Sequence, residues 1–403
     1  MNYITLILVV AMAFGLSDFL TERVPALQRL MYVLGFATIY VLFTIKYYYG
    51  TDILHYYNHY TMIESVGDVW RNPEKYSFEI GYSLFVAILK GWGVSLYWVT
   101  AIISTVYFVA IALLFKQIKR KRCFAMMLLV LLDYNLLIAE YRQCLAVSFF
   151  ILMVLCVRDR KWAGAIVFAI LMSVMHKSGV FVLGLYVLCY ALHGTEVRPL
   201  VFQVLMLVLG LMLVFPISKM LSAVLGGLSG IGPIASLLHH LQLGRQVQMI
   251  WIVYAMLIVC VEYYLHFQKT RWSSIAIAAV VGVVVVVSFY QYYYLLNRVR
   301  SFFVPLLIVW SFRIVQDAED AHKMIPYGLL LKQVICLSLF VFSIHSTRMF
   351  TKNSKKLHAP VCEACTLLDL RGHVDPHDVQ MRQLEKSRMF WKYDFMKHDQ
   401  NRL

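Results

Sequence analysis

The chain has 403 residues, of which 61% are hydrophobic and 15% charged, with a formal net charge of +15. A soluble chain carries about 25% charged residues, so this composition excludes a soluble globular protein and makes the bilayer the solvent for most of the sequence. On a soluble protein the positive balance would point to nucleic acid; here it reflects lysines and arginines in cytoplasmic loops.

The apolar runs are continuous rather than alternating, which selects helices over a β-barrel. The expected fold is all-α, a polytopic transmembrane bundle of about 11–12 spans over residues 1–345, followed by a polar tail at 346–403. The first run, residues 3–17, lacks a basic leader and a small-residue cleavage site, so it reads as a span and not a signal peptide. Runs at 29–45, 92–115, 123–139, 144–157, 162–175, 180–192, 200–215, 250–265, 275–290, 302–312 and 325–345 follow, with a shorter dipping segment at 80–89. Basic clusters at 116–122, 158–161 and 269–271 mark the cytoplasmic side. The opposite side then receives two longer loops, 47–79 and 216–248. Counting spans puts the tail outside, whereas its charge favours the inside, so its side stays open. The eight cysteines give no disulfide framework.

Residues that can carry chemistry gather opposite the basic loops. Lys46-Tyr-Tyr-Tyr-Gly50-Thr-Asp52 leads into a tyrosine-rich stretch containing Tyr56. Such tyrosines suit either an interfacial aromatic belt or a sugar ring, and Asp52 either caps a helix or acts as a base. In Phe78-Glu79-Ile-Gly81-Tyr82 the carboxylate opens an apolar helix, where the helix dipole favours it, and Gly81 admits the close approach of a backbone or a ligand. Glu140-Tyr-Arg142-Gln143 interrupts an apolar stretch. Arg142 is either a ligand for phosphate oxygens or a loop arginine reaching lipid headgroups. His176-Lys-Ser178 is a polar turn with a histidine near a span end. Asn297-Arg298-Val-Arg300 places two arginines on the outer side against the charge bias, which calls for a reason such as phosphate binding. Metalloprotease HExxH, P-loop, dinucleotide and Gly-x-Ser-x-Gly signatures are all missing.

In the tail, Cys362, Cys365, His373 and His377 have the chemistry of a zinc site, although the Cys–His gap is short and Asp375-Pro376 disfavours one helix through both histidines. A disulfide between the cysteines is an alternative. So is a plain charged tail whose amphipathic part, residues 379–397, lies on the membrane or binds a partner.

Taken in order, Gly50-Thr-Asp52 with Tyr56, Glu79-x-Gly81-Tyr82, Arg142-Gln143 with Ala146, His176-x-Ser178 and Asn297–Arg300 before Phe302-Phe303 resemble the EpsG family, the Wzy-like polymerases of bacterial exopolysaccharides. The resemblance covers residues 1–345. Where the family usually carries an arginine shortly before Gly-x-Asp, this chain has Lys46. The resemblance implies a GT-C-like membrane architecture. It also implies polymerisation of undecaprenyl-pyrophosphate-linked repeat units at the periplasmic face of the bacterial inner membrane, without a cofactor or metal. Asp52, Glu79, Arg142 and His176 are then the expected catalytic residues. Lys46, Gly50, Tyr56, Gly81, Tyr82, Gln143, Ser178, Asn297, Arg298 and Arg300 are expected to bind substrate. The expected partners are the lipid-linked oligosaccharide, membrane lipids and a chain-length regulator, with no nucleic acid. A flippase for the same lipid, a ligase and a non-catalytic assembly component are the competing readings.

Overall fold

Apolar runs in a bilayer must satisfy their backbone groups internally, and these runs do so as helices. The computed structural model describes residues 3–50, 52–191, 293–320, 365–366 and 375–400. Helices α1 (Tyr3–Leu20), α2 (Pro25–Thr44), β1 (Lys46–Tyr47), α3 (Ile53–Met62), α4 (Val66–Arg71), α5 (Ile80–Gly91), α6 (Leu96–Phe115), α7 (Arg122–Ala139), α8 (Tyr141–Arg158), α9 (Trp162–Met175) and α10 (Lys177–Ala191) follow in order. Further on come α11 (Tyr293–Asp320), β2 (Cys365–Thr366) and α12 (Pro376–Gln400). Among the described residues, α1, α2, α6 and α8 are long and apolar enough to cross a membrane. The runs expected at 200–215, 250–265, 275–290 and 325–345 lie outside the described residues.

Sequence and structure agree on the helical runs among the described residues and differ by a few residues at several ends, including α10, which starts at Lys177 and not at 180. The run expected at 144–157 begins at Tyr141, so Arg142 and Gln143 are not a loop but the first turn of α8. The run expected at 302–312 is the middle of α11, so Asn297–Arg300 are helical as well. In both places a polar residue next to an apolar run hides the helix start from hydropathy, while the backbone simply continues.

The chain divides into two compact units, Met1–Gly179 with Phe312–Leu403, and Val180–Ser311. In the first, α8 packs against α6 and α9, and α1 packs against α7 and α2. The centre of this bundle is closed to solvent: Tyr107, Leu114, Met127, Leu128, Val147 and Ile151 are fully enclosed. Serine hydroxyls inside it return to their own helix, as when Ser148 donates to the Cys144 carbonyl at 2.7 Å and Ser104 to that of Thr100 at 3.0 Å. The outward faces are apolar too, with Leu30, Val33 and Leu34 on α2 and Ile166, Val167 and Ile170 on α9 exposed, as lipid requires.

The basic loop at 116–122 lies at the same end as the α1–α2 turn. Lys121 reaches Glu22 in the α1–α2 turn at 3.5 Å, and the Phe124 amide donates to Asp18 Oδ2 at 2.8 Å. β1, α3 and the α7–α8 junction therefore lie at the other end. Two described segments of the tail lie there as well, β2 and α12. β2 pairs antiparallel with β1, Lys46 opposite Thr366, and the Leu54 amide of α3 donates to Ser387 Oγ of α12 at 3.4 Å. Val379, Gln383, Leu384 and Ser387 form the buried stripe of α12, at helical spacing. Charge alone would have placed these segments with the basic loops, whereas packing sets them at the end opposite the 116–122 loop. α12 begins at Pro376; Cys362 and His373, and the side chain of Cys365, lie outside the described residues, so the zinc set is not described.

Candidate functional site

The site is assembled around the junction of α7 and α8. α7 ends at Ala139 and α8 starts at Tyr141, with Glu140 the single residue between them. The preceding chain arrives across it through Gly50, whose φ is +124° and whose absent Cβ would strike the Ile138 carbonyl oxygen. Only glycine suits both the dihedral and the contact. Its part is thus to let the chain turn against α7 and deliver Asp52 and α3. Tyr141 secures the turn by donating to the Tyr49 carbonyl at 2.8 Å.

Arg142 is the centre. Its Nη1 bonds Glu79 Oε2, its guanidinium lies 3.8 Å above the Phe78 ring, and its amide donates to Tyr56 Oη at 3.3 Å. Its Nε has no hydrogen-bond partner. A guanidinium carries five donors in a fixed fork, so donors remain after the Glu79 pair forms. Glu79 also accepts from the Lys177 amide at 3.2 Å, at the start of α10. Burial pushes its pKa up, but the Arg142 and His176 charges and the amide bonds outweigh this and hold it below the ordinary carboxylate value. A carboxylate so occupied is an anchor and a poor base.

His176 is buried and receives the Ser178 amide on Nδ1 at 3.2 Å, with Ser178 Oγ 2.7 Å from the same nitrogen. An Nδ1 that accepts leaves the proton of the neutral ring on Nε2. In that neutral form His176 presents a donor at Nε2. Asp52 sits half-buried at the start of α3 without bonding the helix amides, within electrostatic reach of Tyr56 and Tyr141. Burial pushes the Tyr56 phenol up to about 12, so it stays protonated and serves as a hydrogen-bonding group.

The structure thus brings Asp52, Tyr56, Glu79, Tyr82, Arg142, His176 and Ser178 to one place. Four other expected residues face elsewhere. Gly81 lets α5 meet α9: a Cβ there would lie 2.6 Å from Val174 Cγ2 and 2.7 Å from its carbonyl oxygen, so the approach it admits is protein and not sugar. Gln143 is enclosed in the bundle, and Lys46 turns inward, donating to the Leu137 carbonyl with its ammonium 4.9 Å from the Tyr141 ring centre. Gly50 shapes the chain, as above. Arg298, exposed, and Arg300, half-buried, lie in the first turns of α11 within the second unit, as does the backbone of Asn297. Two contributors were missed in the sequence. Phe78 is the platform under Arg142, and His59 packs on the other ring pairs, 4.4 Å from Phe78 and with Nε2 3.1 Å from Ser83 Oγ. Burial first, and Arg142 second, push its pKa down to about 4, so His59 is neutral around pH 7. The density of aromatics in 47–82 was the only signal for either.

Burial pushes Lys46 down to about 7, below its ordinary 10.5. Between these values the unfolded chain holds the proton and the folded one does not, so stability rises with pH across about 7 to 10.5. Lys46→Met is expected to flatten that rise and to raise stability below pH 7, read as thermal midpoints in detergent from pH 6 to 10. An unchanged slope in the variant would refute the assignment.

The family model of the EpsG family matches residues 29–356. No curated protein and no solved structure matches the chain.

Proposed function

The chain belongs to the EpsG family, and from that membership together with the site's geometry we propose that it polymerises oligosaccharide repeat units carried on a lipid pyrophosphate, in exopolysaccharide synthesis. The observation that carries this reading is Arg142, fixed between Glu79 and Phe78 with donors to spare. In such a transfer the acceptor hydroxyl oxygen bonds the anomeric carbon, the bond from that carbon to the pyrophosphate oxygen breaks, and the leaving pyrophosphate takes the electron pair. Arg142 stabilises the charge that develops on it. Asp52 takes the hydroxyl proton. His176 donates from Nε2 to a sugar or phosphate oxygen, and the tyrosines around Tyr56 and Tyr82 hold sugar faces. The site lies opposite the basic loops, which corresponds to the periplasmic face of a bacterial inner membrane. A chain-length regulator is the protein partner this reaction calls for.

A second reading, a flippase for the same lipid, draws on Asp133. This buried carboxylate lies inside α7 where the backbone leaves the helical region, with φ −136° and ψ 21°, and broken helices with buried charge are a transporter feature. One experiment separates the two. Cells lacking the protein are expected to accumulate single lipid-linked repeat units on the outer leaflet, and the purified protein to build a ladder of longer glycans from defined units. Units trapped on the inner leaflet would sink the polymerase reading.

A further inference from the structure

At the end of the bundle opposite this site, α1, α2 and α7 enclose a cleft of about 350 Å³. The four consecutive cations Lys119, Arg120, Lys121 and Arg122 line it together with Arg29, against two carboxylates, Asp18 and Glu22. Both carboxylates already have work in the fold: Glu22 with Lys121, and Asp18 Oδ2 with the Phe124 amide. Cations exceed anions there by three, five against two. Two helix N-termini, of α2 and α7, open at the same place, and neither is capped by its own N-cap side chain. Asp18 is wholly enclosed, and its Oδ1 has no hydrogen-bond partner, an acceptor left for a donor arriving from the cleft.

The surroundings of the cleft are apolar. Leu16 and Leu20 of α1 and Leu27 and Leu30 of α2 are exposed, Leu20 by 87%. Leucines so placed at the ends of spans belong in acyl chains, not water. A ligand that satisfies both features has a phosphate at its head and hydrocarbon behind it.

We propose that this cleft is a site for an anionic phospholipid, whose phosphate takes the basic cluster and whose acyl chains run along the exposed leucines of α1 and α2. A headgroup hydroxyl, as in phosphatidylglycerol, supplies the donor for Asp18 Oδ1. The site is independent of the glycan chemistry at the other end. It also gives the basic loop a purpose beyond orientation: its cations are gathered into a cleft instead of spread along a solvated turn.

The test uses the full chain in detergent, titrated with phosphatidylglycerol, phosphatidylcholine or glycerol phosphate and read by native mass spectrometry. Phosphatidylglycerol is expected to bind in preference to phosphatidylcholine. Lys119→Gln with Arg120→Gln is expected to weaken it about tenfold or more, from the usual gain per basic residue near an anionic lipid. Arg29→Gln, at an exposed position where folding is not at stake, is expected to weaken it in the same direction. Arg158→Gln with Arg160→Gln removes equal charge from the other described basic loop and is expected to leave binding unchanged. An equal loss in that control, or no preference over phosphatidylcholine, overturns the proposal. Glycerol phosphate binding as tightly as the lipid overturns the lipid assignment and leaves a phosphate site.

Discussion

Arg142→Ala is expected to lower polymerisation by about 10²–10³-fold, the loss typical of removing one fixed donor from developing anionic charge. Arg142→Lys is expected to be nearly as damaging. A lysine ammonium is a compact point charge and cannot lie flat at 3.8 Å on Phe78 while bonding Glu79 sideways. Because Glu79 and Arg142 are paired in a partly buried place, loss of either partner alone also disturbs folding. The pairing supplies its own control. Arg142→Met combined with Glu79→Gln removes both charges, so the fold is expected to return while the activity does not. Product ladders from the monodisperse double variant decide the matter, since activity restored along with the fold would make the arginine purely structural.

The second large effect is expected at Asp52. Asp52→Asn keeps the shape and removes the proton acceptor, so the rate is expected to fall about 10²–10⁴-fold and the acidic limb of the pH–rate profile to disappear. Glu79→Gln is expected to leave that limb in place. The contrast follows from the surroundings of Glu79, which is held by Arg142 and by the Lys177 amide. If the limb survives in Asp52→Asn and vanishes in Glu79→Gln, then Glu79 is the base and Asp52 is not.

Much of this protein is legible along the chain, because lipid imposes a one-dimensional rule. A run long and apolar enough to span must be a helix, so residues 3–17, 29–45 and 92–115 anticipate α1, α2 and α6 closely. Alternation of those runs, with basic clusters on alternate turns, also places Asp52, Glu79, Arg142 and His176 at one end together. Pairing is another matter, because it depends on which helices become neighbours. Glu79 and Arg142 are 63 positions apart, and nothing local in either segment announces that they meet. The same holds for Gly81, which could have admitted a sugar and instead admits α9, and for Lys46, which could have faced phosphate and instead faces the Leu137 carbonyl.

Hydropathy and charge, read position by position, are thus enough for the solvent, the helices and the end of the bundle where the polar residues gather. Folding in three dimensions was needed to show which of those residues touch, which carboxylate is held by Arg142, which nitrogen of His176 meets Ser178, and that α12 of the basic tail packs on α3, at the end opposite the 116–122 loop. These depend on short-range contacts between distant segments, where a hydrogen bond or a buried stripe such as Val379–Gln383–Leu384–Ser387 outweighs the weak preference of a solvated charge for one side.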